Sequence, residues 1–340
     1  MKKYLQKNQY TRMLLIMLAV VLIFFTITKG SILWTGNMWS GMMMQFPEFG
    51  LITLGMMFTF ICGQMDLSVI ALGDFAAIIA CKFIIANSTE EMGNGQLVGI
   101  FIIGILIAVI IAICGGLVNG FLVTGLDIPP VMATIAMQLV WQGLSIALTR
   151  GDAVTGLPLL YTEIGHSKIL GFIPFPLLIF IIGLLIAAFL VKKTTYGEKL
   201  YMIGTNQKAC VFSAINVKFT IIITYCLCSV YSVIGCMLMV NTLGSAKADY
   251  GTSYLMRCIL ILVLAGILPD GGYGNIWDSV LAIIIIQIIA SGVNMFKELN
   301  TYWSSLIWGA MLIVVLILST RVTGNAPKKK KADVTAKAGS

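Results

Sequence analysis

The chain has 340 residues; 59% are hydrophobic, 11% are charged, and the formal net charge is +8. Positive charge of this size would raise nucleic acid as a partner of a soluble protein. Here, however, fifteen of the 22 Lys and Arg lie in three short segments beside apolar runs, so they read as topology signals and nucleic acid is excluded. Apolar runs recur from Met13 to Ser319, and several reach the roughly 20 residues that cross a ~30 Å hydrocarbon core as a helix. A backbone in lipid must satisfy its own hydrogen bonds. A transmembrane β-barrel would need ~10-residue stretches alternating apolar and polar. Ile100–Ile113 and, apart from Gln287, Val280–Ile289 are apolar on every side, so the expected fold is all-α, a polytopic transmembrane bundle of about ten spans.

In chain order, residues 1–12 carry Lys2, Lys3, Lys7 and Arg12 ahead of a first span at 13–28. This start is like a signal peptide, but no clear small-residue cleavage motif precedes Lys29-Gly30-Ser31, so a retained helix is expected. Spans at 47–64 and 67–86 flank a break at Gly63–Asp66. Asp66 is placed to cap the helix starting at Leu67, where a carboxylate suits the positive helix end. Asp74 falls near the middle of that helix. A span at 97–124 carries Gly115, Gly116, Asn119 and Gly120, small residues that let membrane helices approach closely. Another follows at 128–149. The loop from Arg150 to Leu170 balances Arg150 and Lys168 against Asp152 and Glu163, and holds the only histidine, His166. After a span at 171–191 comes a loop at 192–218 with Lys192, Lys193, Lys199, Lys208 and Lys218. Spans at 219–240, 255–268, 276–295 and 303–320 complete the domain at 13–320. A tail at 321–340, with Arg321, Lys328–Lys331 and Lys337, reads as disordered. Ten crossings return the tail to the side of the N-terminus, and the positive-inside rule places both termini and loop 192–218 in the cytoplasm. Span 255–268 is short, so the alternative is eight full spans with the breaks at Gly63–Asp66 and Pro269–Gly274 inside the membrane.

The eight cysteines (62, 81, 114, 210, 226, 228, 236 and 258) fall mostly in apolar runs without a C-x-x-C, and read as small buried hydrophobes. One histidine excludes a metal site built on several, and no metal or cofactor is expected in this chain. No G-x-x-x-x-G-K-[ST] phosphate loop, G-x-S-x-G elbow or H-E-x-x-H occurs, so an enzyme is not expected. A weak internal echo pairs Cys62–Asp66 with Gly266 and Pro269–Gly272, and Gly116–Gly120 with Gly292-Val293-Asn294. Transporters often contain two related halves with the site between them.

Residues 194–217 read TTYGEKLYMIGTNQKACVFSAINV. Two to eight residues suffice to join two helices, so this length is either an ordered surface loop or a short helix offered to a cytoplasmic partner. Asn206 would cap that helix, and Ala209–Ile215 would form its apolar side.

Three stretches together carry a resemblance. Gly63-Gln64-Met65-Asp66-Leu67-Ser68 resembles a glycine-rich turn followed by Asp-Leu-Ser. Gly116–Gly120 with Ile128-Pro129-Pro130 resembles a Gly-Leu-x-Asn-Gly then Ile-Pro-Pro pattern. Tyr196-Gly197, Ile203-Gly204-Thr205-Asn206, Ala209 and Ser213-Ala214-Ile215-Asn216-Val217 resemble a loop of Tyr/Phe-Gly, Ile-Gly-x-Asn, Ala and Ser-Gly-Ile-x-Val. In order and spacing, over roughly residues 45–320, these resemble the membrane permease subunits of bacterial ribose-, galactoside- and autoinducer-2-type ABC importers, in the branched-chain amino acid and monosaccharide permease superfamily. The resemblance implies a pore of two such subunits in the bacterial plasma (inner) membrane, the second being another copy or a homologous permease. It implies a separate ATPase subunit that binds ATP and Mg, and an external solute-binding protein that delivers a sugar. It makes Gly197, Ile203, Gly204, Asn206, Ala209, Ser213, Ile215 and Val217 the coupling residues.

The chain departs from that pattern. Arg257, after Tyr254, stands where an acidic residue is usual; Ile259, Leu260 and Ile261 replace small residues; Ala265-Gly266 replaces paired glycines; Asp74 replaces an apolar residue. A charge within the bilayer normally finds a partner or water. Either Asp74 and Arg257 pair across the bundle, or Arg257 snorkels outward and Asp74 faces a water-filled cavity. Asn119 and Asn294 either hydrogen-bond between helices or line the solute path. Trp141, Trp277, Trp303 and Trp308 fit interfacial anchors, or an aromatic sugar platform. The expected function is the translocation subunit of an ATP-driven sugar importer. An ion-driven secondary transporter using Asp66 and Asp74, and an accessory half of a heterodimeric importer with nucleoside or amino-acid cargo, are the rivals.

Overall fold

The computed structural model describes residues 2–89, 92–169, 171, 173–296, 306, 309–311 and 313. Among them the chain forms twelve α-helices and one two-residue hairpin. Eight helices are long and apolar enough to cross a membrane. These are the Tyr10–Leu33 part of α1 (Lys2–Leu33), α2 (Gly36–Ile61), α3 (Val69–Asn87), α4 (Asn94–Thr124) and α5 (Pro130–Thr149). Beyond them come α7 (Phe175–Lys193), α10 (Val217–Leu243) and α12 (Ile276–Val293). The expected bundle is therefore present, with corrected boundaries. The second helix begins at Gly36 rather than 47, because the chain is already helical through the Met- and Gly-rich stretch before Pro47. The helix after the first break begins at Val69 rather than Leu67.

The expected span at 255–268 is the 13-residue helix α11 (Thr252–Leu264). At ~1.5 Å per residue it covers only ~20 Å. It stops because Gly266 turns into the left-handed region (φ +75°), followed by Pro269 and two more left-handed glycines, Gly271 and Gly272. This matches the alternative of full spans with broken helices. The span at 303–320 lies almost wholly outside the described residues, as do Trp303, Trp308, Glu90, Glu91 and the tail 321–340.

Helix α10 is the central element, packed against α2, α3 and α4. Small residues allow the approach. A side chain at Gly116 or Gly120 of α4 would run into the α10 backbone at Cys226 or Ile222, and one at Gly235 of α10 would meet the Glu48 carbonyl of α2. Helix association in lipid rests on van der Waals packing of this kind. By contrast α1, α4 and α5 leave broad apolar faces exposed, including Ile16, Ile27, Leu106, Ile110, Met132 and Leu139. The loop expected at 150–170 folds into α6 (Leu159–His166) and the antiparallel pair β1 (Lys168–Ile169) and β2 (Ile173–Pro174). His166 is exposed there, its Nδ1 against the Thr162 carbonyl. Six of the eight cysteines are buried and all are free; Cys114 is exposed and Cys226 half-buried.

Candidate functional site

The basic loop folds into two short helices, α8 (Thr195–Thr205) and α9 (Gln207–Phe212). Each start has a side-chain cap. The Thr194 hydroxyl accepts from the Gly197 N–H, and the Asn206 side chain accepts from the Ala209 N–H at 3.1 Å. Such caps satisfy backbone donors that a helix start leaves open. Two tyrosines tie α8 to the bundle: the Tyr196 hydroxyl meets Thr224 of α10 at 2.9 Å, and the Tyr201 hydroxyl donates to the Gly274 carbonyl at 2.8 Å. Burial pushes the Tyr201 phenol up to about 12, which keeps it a donor at neutral pH.

The eight residues to which the resemblance gives a coupling role divide between two faces. Gly197, Ile203 and Val217 are buried against the bundle, and Gly204 and Ile215 are half-buried. Asn206, Ala209 and Ser213 are exposed on α9. Beside them stand Met202, Val211 and Phe212, the last 92% exposed. Val211 and Phe212 fall within the apolar side expected at Ala209–Ile215, whereas Met202, at the end of α8, lies outside it. Ala214 holds φ +56°, a left-handed conformation, at the position where the resembled pattern carries glycine. A non-glycine residue there costs about 1–2 kcal/mol. Ala214→Gly is therefore expected to raise the thermal midpoint of the purified chain; an unchanged or lower midpoint would show that the loop carries no such strain.

The two glycine turns that echo each other in sequence meet in space, and Gly204 sits on both. The Gly272 N–H donates to the Ile61 carbonyl at 2.8 Å. A Cβ on Gly271 would come within 2.6 Å of Gly63 Cα, and a Cβ on Gly204 would collide with the Ile61 carbonyl oxygen and the Gly272 nitrogen. The end of α8 is thus seated on backbone with no side chain between. Gly63, Gly271 and Gly272 all have φ near +75°, which only glycine adopts without steric cost.

From this joint the first turn leads to a buried polar cluster. The Asp66 carboxylate accepts from the Ser68 N–H at 3.0 Å and the Ser68 hydroxyl at 2.8 Å. The Asn119 amide, from α4, donates to the Ser68 hydroxyl at 2.7 Å and to Asp66 at 3.3 Å. All three residues are fully buried. Asp66 therefore holds the entry to α3, and Asn119 is an interhelical tether. The same turn is held by Tyr225 of α10, whose hydroxyl donates to the Met65 carbonyl.

The structure does not pair Asp74 with Arg257. The Asp74 carboxylate accepts from the Gly251 N–H at 3.2 Å and lines a cavity of about 20 Å³ with Gln138, Gln142 and Thr252, enough for one water. The Arg257 guanidinium lies 5.2 Å from both the Phe49 and Tyr254 ring centres, a cation–π arrangement. Glu48 is buried in α2 and accepts from the Tyr254 hydroxyl at 3.0 Å. Glu48 of α2 thus stands in the same cluster as Tyr254 and Arg257 of α11. Sequence reading missed Glu48 because a span drawn from residue 47 left it at a helix end. Asn294 is likewise not a buried amide: it is the exposed C-cap of α12, while Gly292 lies under the Phe25 ring. Trp141 is stacked on Phe75, and Trp277 is half exposed with Lys192 over its ring, so the two form no shared platform.

Comparison with known proteins adds the family context. A family model described as branched-chain amino acid transport system / permease component matches residues 38–316. The ribose import permease protein RbsC of Bacillus subtilis strain 168 is 28% identical over 80% of this chain and 81% of its own length. The autoinducer 2 import system permease protein LsrD of Escherichia coli K12 is 30% identical over 63% of this chain and 66% of its own length. The same holds for LsrD of Shigella flexneri. No solved structure matches.

Proposed function

The chain belongs to the branched-chain amino acid transport system / permease component family, and from that premise we propose that it is the multi-pass plasma-membrane subunit of an ATP-driven importer for a monosaccharide or related small polar solute. ATP and Mg would bind a separate ATPase subunit, and an external binding protein would deliver the solute. A second copy or a related permease would complete the path. Both termini and helices α8 and α9 would face the cytoplasm, in keeping with the charge distribution.

The observation that carries this reading is the joint at Gly204. A short helix pair with an exposed apolar end at Phe212 is seated, backbone on backbone, on the two turns that hold the membrane helices. Force applied to α9 from outside the bundle would pass through Gly204 into the Gly63 turn and on to Asp66, Ser68 and Asn119. An ion-driven transporter has no use for such an external lever.

The test is gentle purification of the tagged chain from its native membrane, with identification of every co-purifying protein. An ATPase subunit is expected, and Phe212→Asp is expected to cut its recovery by tenfold or more, in line with hot-spot losses of about 2 kcal/mol or above. A second, different permease in the sample would establish a heterodimer. Recovery of the chain alone, with Phe212→Asp silent, would overturn the reading in favour of ion-driven uptake.

A further inference from the structure

Helix α7 carries an exposed apolar stripe that runs into two lysines. Ile182, Leu185, Ile186 and Phe189 are 49%, 59%, 50% and 61% exposed. Their spacing by three and four residues puts them on one face of the helix. The next positions at that spacing are Lys192 and Lys193, both exposed in the last turn. Hydrocarbon chains suit such a stripe on a membrane-spanning helix, and the lysines at its end select the kind of headgroup.

A second helix fixes the depth of the charge. The Lys192 ammonium stands 5.1 Å over the ring of Trp277, at the start of α12, and both α7 and α12 pack on α2. Trp277 is 48% exposed, and Tyr273, four residues earlier, is 54% exposed. Such rings settle at the boundary between hydrocarbon and headgroups. The cation–π contact holds the ammonium at that boundary instead of letting it swing into water. The acids around this corner do not cancel the charge. Asp278 is buried and its two oxygens accept from Thr11 and Asn275. Glu198 and Lys199 of α8, both exposed, offset each other, and the second glycine turn adds one exposed acid, Asp270, against the two lysines of α7. The balance is positive.

We propose that the corner between the end of α7 and the start of α12 binds an anionic phospholipid. The phosphate lies on Lys192 and Lys193, the ring of Trp277 borders the glycerol, and an acyl chain runs along Phe189, Ile186, Leu185 and Ile182. Basic pockets between membrane helices take anionic headgroups in this way. A free anion would use the lysines alone; the stripe above them makes a lipid the occupant. Lys193 is followed directly by Thr194, whose hydroxyl caps α8. The headgroup therefore sits at the turn that joins a membrane helix to the short helix pair, and its presence restrains that turn. The proposal needs only the membrane-spanning character of the chain, so it stands or falls apart from cargo and ATPase.

The experiment is a lipid titration of the full purified chain in mild detergent, read by native mass spectrometry. The probes are phosphatidylglycerol and phosphatidylcholine with the same acyl chains, and glycerol 3-phosphate is the chain-free competitor. Phosphatidylglycerol is expected to be retained in preference to phosphatidylcholine. Lys192→Gln is expected to weaken it about fivefold, and Lys193→Gln about fivefold again, the factor one lysine adds at an anionic surface. Lys192→Arg, which keeps the charge and stacks on the indole, is expected to retain the lipid. Lys168→Gln, exposed before the opposite end of α7, is expected to change nothing. Equal retention of the two lipids, or phosphatidylglycerol retained undiminished by both Gln variants, would overturn the proposal. Displacement of the lipid by an equal concentration of glycerol 3-phosphate would overturn it too, since the stripe would then contribute nothing.

Discussion

Gly204→Ala is expected to reduce solute import more than tenfold while leaving the protein in the membrane. Two effects oppose each other at this position. Gly204 lies inside α8 without a left-handed φ, so alanine would improve helix propensity by about 1 kcal/mol. Against this, its Cβ would be driven into the Ile61 carbonyl and the Gly272 nitrogen, the two groups that hydrogen-bond to each other across the joint. Overpacking in a tight interior costs about 1–3 kcal/mol, occasionally more. Here both neighbours are backbone and cannot rotate away, so the steric cost wins and the end of α8 lifts from the glycine turns. ATP turnover by the partner would persist without import, an uncoupled phenotype. Gly143→Ala is the control, since nothing lies within 4 Å of a Cβ there. Import at the level of the parent protein in Gly204→Ala would show that the joint does not transmit motion.

The second large effect is expected at Glu48 and Arg257. Arg257 packs its guanidinium over the Phe49 and Tyr254 rings, and a desolvated cation–π contact is worth about 2 kcal/mol or more. Arg257→Leu should therefore lower the thermal midpoint of the purified chain most strongly of the single changes. Glu48→Gln keeps the side-chain volume and an acceptor for the Tyr254 hydroxyl, so it should cost less. The double variant should depart from the sum of the two single changes, since both side chains contact Tyr254. Strict additivity of the two changes would show that Glu48 and Arg257 do not act on each other, because residues in one network depart from additivity by about 0.5–3 kcal/mol. Exchange of charge between Asp74 and Arg257 is expected to restore nothing, since Asp74 is bound by the Gly251 N–H instead.

Much of the local structure at 194–217 is legible in the sequence because it depends on local rules. Its length and charge marked loop 192–218, and Asn206 was placed as a cap three residues before Ala209, where the structure has it. The division of that element into a buried face with Ile203 and an exposed face with Phe212 was not legible. A six-residue helix is too short for its periodicity to assign a face. The polar interior was read less well. Asp66 and Asn119 were both singled out, but nothing in sequence spacing says that residues 53 positions apart share one hydroxyl of Ser68. Asn294 looked equivalent to Asn119 in sequence, yet α12 ends one residue before it and leaves it exposed.

By itself the sequence determined the membrane-spanning all-α class, the chain positions of most helices and the position of the basic element between α7 and α10. These follow from the length of apolar runs, from caps and glycines acting on neighbouring residues, and from where Lys and Arg accumulate. Only the tertiary structure decided that Glu48, not Asp74, joins Tyr254 beside Arg257, and that two distant glycine turns close on Gly204. A buried charge in lipid takes whichever partner the helix packing brings within reach, and a glycine contact exists only where two backbones arrive at the same point. Both depend on how helices cross, and that geometry is set by many weak contacts at once rather than by any local run of residues.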